Sequence, residues 1–204
     1  MTREKVPQTV KVAIGGHVSV GKTTIVDTLK GQLFKGYVAP TIGSEYNKIN
    51  ISISPIHSLT MEIFDLGGQE RFTSITDSYY RTVEMVILVF SLNSRETWHT
   101  VKRKYEELKV TNRLGDKRVI FVGNKLDSVG FLGDGKFDPY GECENYAESK
   151  GCQYIEVSAK TGENMFELKK ILIDSFPPED VSEVNELKEN VSIENKRNCW
   201  CVLL

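Results

Sequence analysis

The stretch GGHVSVGKTT (15–24) holds Gly16, four residues, then Gly21, Lys22 and Thr23, the spacing of a phosphate cradle. In such a loop the backbone N–H groups and the following helix N-terminus face an anion, and the lysine reaches the outer phosphates. The threonine hydroxyl goes to Mg²⁺. Val18, Ser19, Val20 and Thr24 complete the candidate cradle. A second group is Asp65-Leu66-Gly67-Gly68-Gln69-Glu70. Asp65 closes an apolar run and suits a metal-side carboxylate, Gly68 offers an N–H to a terminal phosphate, and Gln69 suits orientation of an attacking water. Thr41, in APTIGSE, supplies a further hydroxyl, so Thr23, Thr41 and Asp65 form the expected metal set.

A third group selects the base. In Asn124-Lys125-Leu126-Asp127, the Asp127 carboxylate accepts from guanine N1–H and the exocyclic amine. Adenine lacks that N1–H and would set acceptor against acceptor. The Lys125 stem can lie along the base plane, and Asn124 can tie this loop to the phosphate loop. Ser158-Ala159-Lys160 offers a backbone N–H to guanine O6 and a brace for Asp127. Phe34 is placed to stack on the base edge. These residues predict GTP or GDP with Mg²⁺ as the cofactors. Val18 is the unusual member. A branched side chain there stands near where Gln69 and an incoming arginine finger must pack, which predicts intact binding and slow hydrolysis. His17 is expected to face solvent.

The elements that must position these groups follow from periodicity. VKVAIG (10–15), LTMEIFDL (59–66), EMVILVF (84–90), RVIFVGN (118–124) and QYIEVS (153–158) read as strands, and NKINISIS (47–54) alternates like an edge strand. Helical patterns fall near 22–32, 94–110, 140–150 and 163–176. Their alternation predicts βαβ units in an α/β, doubly wound, mostly parallel six-stranded sheet with helices on both faces. The expected organisation is an N-terminal extension (1–9), one nucleotide-binding domain (10–176) and a polar, acid-rich tail (177–204). SVGFLGDGKFDPYG (128–141) reads as a long surface loop.

Composition sets outer bounds. With 204 residues, 26% charged, and a net charge of −2, the chain lacks the basic excess of a nucleic-acid binder. The opening MTREKVPQTV has no apolar run and no stretch approaches the length of a membrane span, so neither a secretory signal nor a transmembrane helix is expected. Cys143, Cys152, Cys199 and Cys201 lack zinc-site spacing, and a reduced cytosolic chain is expected.

GHVSVGKT, PTIG, DLGGQE, NKLD and SAK, in this order over residues 10–176, resemble the small GTPases of the Ras superfamily. Within it, GGQERF (67–72), Tyr79-Tyr80-Arg81 and TIG (41–43) are similar to the Rab branch. IGSEY (42–46) stands where Rabs usually carry IGxDF, Phe64 holds the usual Trp position, and Asp-Leu-Gly-Gly resembles Arf proteins. The resemblance implies a P-loop G-domain fold and a switch in vesicle trafficking. Its switch I lies near 36–45 and its switch II near 65–80, ordered through Thr41 and Gly68. It also implies a monomer whose partners are an exchange factor, a GTPase-activating protein, a prenyl-binding carrier, and effectors meeting Ile42 and Phe72, with Trp98 either a further effector contact or buried packing.

The stretch Cys199-Trp200-Cys201-Val202-Leu203-Leu204 has the form of a prenylation box. Geranylgeranylation is expected at Cys201, with Cys199 as a second lipid site. The expected location is the cytosolic face of an intracellular or plasma membrane, with cycling to the cytosol. Three functions compete: a switch GTPase of Rab, Ras or Rho type, a constitutively GTP-bound scaffold, and a small-molecule P-loop kinase. The kinase reading leaves NKLD and SAK unexplained.

Overall fold

The computed structural model describes residues 6–36, 38–53, 57–68, 73–129 and 141–177. The chain runs β1 (Val6–Gly16), α1 (Lys22–Leu29), β2 (Ser44–Ser52), β3 (His57–Leu66), α2 (Thr73–Thr82), β4 (Met85–Ser91) and α3 (Arg95–Val110). It continues through β5 (Arg118–Asn124), α4 (Glu142–Ser149), β6 (Gln153–Glu156) and α5 (Met165–Asp174). One six-stranded sheet has the order β2-β3-β1-β4-β5-β6. Among the described residues only the β2–β3 pairing is antiparallel. The expected α/β class and mostly parallel sheet are therefore present.

Near-continuous apolar runs make both faces of the central strands bury. On β4, Met85, Ile87 and Val89 join the layer of α1 and α5, with Ile25, Leu168 and Leu172. The alternate residues Val86, Leu88 and Phe90 join the layer of α3 and α4, with Val101, Leu108 and Ala147. A central parallel sheet so covered sends its strand ends toward one rim, where the loops carrying the motifs emerge.

Two features depart from the sequence reading. β1 begins at Val6, inside the stretch expected as an extension. Helix α2 has no counterpart among the predicted helices. Trp98, open between an effector contact and buried packing, is 0% exposed and takes the second. Its ring lies 4.9 Å from Phe90, 5.8 Å from Phe121 and 5.5 Å from Tyr146. Its indole N–H donates to Glu142 Oε1 at 2.9 Å. Position 98 lies on the inward stripe of α3 with Val101, Tyr105 and Leu108, and that stripe decides its fate. Trp98→Ala is expected to cost about 3–5 kcal/mol, lowering the melting temperature by roughly 6–20 °C. A melt within 2 °C of wild type, by circular dichroism, would contradict this packing role.

Candidate functional site

The loop after β1 turns into α1 through Gly21, which has φ 96° and caps the helix. A Cβ there would lie 2.3 Å from Asn124 Nδ2, so conformation and crowding both demand glycine. Ser19 also adopts a left-handed conformation, at φ 62°. Lys22 is buried, and its ammonium donates to the carbonyls of Gly16 at 3.0 Å and His17 at 2.8 Å. Burial lowers its pKa to about 8, with the Asp65 carboxylate opposing that shift. His17, expected to face solvent, is half-buried, with Nδ1 3.0 Å from the Val18 carbonyl oxygen.

Asp65 sits near the end of β3, fully buried. The Thr23 hydroxyl donates to its Oδ2 at 2.5 Å and lies 3.0 Å from the Thr41 hydroxyl. Burial pushes the Asp65 carboxyl up to about 6, against the Thr23 hydrogen bond and the Lys22 charge. Its other oxygen, Oδ1, is buried with no hydrogen-bond partner among the described residues. Buried polar atoms are seldom left unpaired. One orphaned carboxylate oxygen beside two hydroxyls is a donor set that fits Mg²⁺, a hard cation that takes few protein ligands and keeps its waters.

On the base side, Asn124 is a joint. Its amide donates to the Val20 carbonyl at 2.8 Å and its Oδ1 accepts from the Ala159 N–H at 3.1 Å. The phosphate loop, the end of β5 and the loop after β6 are thereby held by one buried side chain. Lys125 follows at φ 67°, turning the chain so that Asp127 comes back toward Ser158. The Ser158 hydroxyl donates to Asp127 Oδ1 at 2.7 Å, and Lys160 Nζ stands 3.4 Å from Oδ2. Burial works to raise the Asp127 pKa, but the Ser158 bond and Lys160 outweigh it and hold the carboxylate below its ordinary value. An ionised acceptor is what guanine's two donors require. Thr28 adds a tie between α1 and the same loop, donating to the Ala159 carbonyl at 3.0 Å.

The end of β3 meets the phosphate loop at Gly68 and the Thr41 segment at Gly67. A Cβ on Gly68 would lie 2.4 Å from Val18 N and 2.5 Å from the His17 carbonyl carbon. The half-buried Val18 therefore stands against the residue that precedes Gln69 in the chain. Gly67 N donates to the Gly43 carbonyl at 2.7 Å, joining the end of β3 to the Thr41 segment. Gln69, Phe72, Cys199, Cys201 and most of the 128–141 loop lie outside the described residues. Phe34, 39% exposed, lines a cavity of about 250 Å³ with Thr24, Thr28 and Val38, and none of Asn124, Lys125 or Asp127 lines it. Phe34 shares that cavity with Thr24, the last residue of the candidate cradle.

Sequence reasoning missed an aromatic cluster beside these segments. Tyr46 and Phe64 face each other in the β2–β3 register, with centroids 5.7 Å apart, and Phe64 lies 4.9 Å from Tyr79 of α2. The Ser44 hydroxyl donates to the Tyr79 hydroxyl at 2.9 Å. Tyr46 is 55% exposed and Ile42 78%. The signal available in the sequence was the aromatic pair at facing positions of an antiparallel hairpin.

Sheet order, phosphate loop and strand-end carboxylate together define an α/β P-loop domain of the GTPase kind. Residues 11–176 match the family described as "Ras family". The chain belongs to the Ras family, and within the superfamily it is Rab-like. It is 32% identical over 176 residues to Ras-related protein Rab-31 of Rattus norvegicus, covering 85% of this chain and 86% of the relative. It is 31% identical to Ras-related protein Rab-24 of Dictyostelium discoideum over 94% of this chain and 92% of that one. GTP-binding protein YPT53 of Saccharomyces cerevisiae is 30% identical over 93% of this chain and 86% of its own length.

Proposed function

We propose that this chain is a guanine-nucleotide switch that binds GTP or GDP with Mg²⁺, hydrolyses GTP slowly and recruits effectors in vesicle trafficking. The observation that carries the reading is the Asn124 joint, which makes one site of the phosphate loop and the Asp127–Ser158 pair. Lys22 turns to the phosphates, the loop amides and Gly68 N–H surround them, and Lys125, Asp127 and the Ala159 loop hold the base. Thr23, Thr41 and Asp65 would hold the Mg²⁺, which when bound neutralises charge on the phosphate oxygens. Gln69 orients the attacking water. Effectors meet Ile42, Tyr46 and the adjoining aromatic cluster once Thr41 and Gly68 are ordered. Exchange and activating factors act on the same segments. Cys201, with Cys199, is the attachment point for a lipid anchor on a cytosolic membrane face, from which a prenyl-binding carrier extracts the protein.

Chromatography of the nucleotide released from freshly purified protein, followed over time, tests this. GTP converting to GDP supports the switch, and an adenine nucleotide or none refutes it. A GTP-loaded scaffold is favoured only by Val18, and persistent GTP over days would establish it. Val18→Gly is expected to raise the single-turnover hydrolysis rate at least tenfold, with arginine-finger assistance adding roughly 10³–10⁵. Equal rates in the two proteins would show that Val18 does not slow the reaction.

A further inference from the structure

Between α1, β2 and α5, three lysines line one groove of about 540 Å³. Lys30 comes from the end of α1, Lys48 from β2 and Lys169 from α5, with Ile49, Met165 and Phe166 as apolar lining. Phe166 is 74% exposed. Lys30 donates to Asn47 Oδ1, and none of the three ammoniums has a carboxylate partner among the described residues. Glu62, opposite Lys48 in the strand register, is engaged by the Tyr46 hydroxyl. Three lysines gathered on one groove, of which among the described residues only Lys48 faces a carboxylate across the sheet, make it a site for an acidic ligand.

The chain carries such a ligand. Beyond Pro178, six carboxylates between Glu179 and Glu194 face the single Lys188, interleaved with Val181, Val184 and Leu187. The distance can be spanned. From Met165 to Asp174, α5 rises about 14 Å, and about five extended residues after Pro177 cover that length. Glu183, Glu186 and Glu189 then come within range of the lysines, with Val184 or Leu187 available to Phe166.

We propose that the acidic segment 181–189 of this chain docks in the Lys30–Lys48–Lys169 groove as an intramolecular ligand. Exposed ion pairs are individually weak. Tethering gives the segment an effective concentration near the millimolar range, which is what several weak contacts need. Lys30 and Lys48 bracket the segment that carries Thr41, so the docked tail clasps the two ends of that segment together. The proposal does not depend on the nucleotide reading.

The test uses the full-length, isotopically labelled chain and its Glu183→Gln/Glu186→Gln/Glu189→Gln variant, in which the tail is neutralised but the domain is untouched. At about 0.02 M salt the backbone amide resonances of Lys48, Ile49 and Lys169 are expected to differ between the two proteins. At about 0.5 M salt, where the screening length falls to a few ångströms, the difference is expected to vanish. A peptide of residues 179–194 added to the neutralised variant should restore the wild-type positions, and should fail to do so in its additional Lys48→Gln/Lys169→Gln form. Identical groove resonances in the two proteins at low salt would overturn the proposal. So would co-sedimentation with phosphatidylserine vesicles that depends on Lys48 and Lys169 and is unaffected by neutralising the tail, since the groove would then be open to lipid.

Discussion

Asp127→Asn is expected to weaken GTP binding by roughly two to four orders of magnitude while leaving the chain folded. Guanine presents two donors to this carboxylate. Replacing a charged acceptor with an amide puts an NH₂ where an oxygen was, so one donor meets a donor. Two hydrogen bonds to a charged group, each contributing about 1.5–3 kcal/mol, set that range. The same substitution creates a donor suited to a carbonyl at the purine 2-position, so xanthosine triphosphate should gain affinity as GTP loses it. The variant removes the Asp127–Lys160 ion pair as well, but Lys160 is exposed and the pair contributes little. Competition of labelled GTP with unlabelled GTP, ATP and XTP checks the reversal. An unchanged GTP affinity would show that Asp127 does not read the base.

The second large effect is expected at Gly68. An alanine Cβ would lie 2.4 Å from Val18 N and 2.5 Å from the His17 carbonyl carbon. Both are backbone atoms of a loop pinned by Asn124, so no flexible side chain can yield. Gly68→Ala should therefore hold the start of the following segment away from the phosphate loop by about an ångström. A displacement of that size between reacting groups is worth about a hundredfold in rate. GDP affinity and the melting temperature should change little, because no core contact is lost. Single-turnover hydrolysis beside a GDP titration separates the two outcomes. Hydrolysis at the wild-type rate would mean that this approach has no part in the reaction.

The central strands were readable because both of their faces are covered, and β2 because its burial alternates. Runs such as EMVILVF can only be buried, and their alternation with amphipathic stretches leaves few topologies. The motif order located the phosphate loop, the Asp65 strand end and the base-reading loops, since each follows a strand directly. Helix α2 was not readable. TSITDSYYRT is crowded with Ser, Thr and Asp, which compete for backbone hydrogen bonds, and its C-terminal end reaches the core through Tyr80. Trp98 stays open in the sequence because a single aromatic near a motif carries no direction, whereas its spacing to Val101 and Tyr105 does. The tie of Gly67 to Gly43 was invisible because glycine has no side chain to announce a contact.

That tie changes what the molecule can do. The β2–β3 ladder ends at the Ser44–Leu66 pair, and the Gly67 N–H to Gly43 carbonyl bond carries the ribbon one step further. The end of the Thr41 segment and the Gly67–Gly68 turn are consequently the two strands of a single hairpin mouth. Displacing either strand there breaks the bond that holds the other, so a strain on the Thr41 side is felt on the Gly68 side.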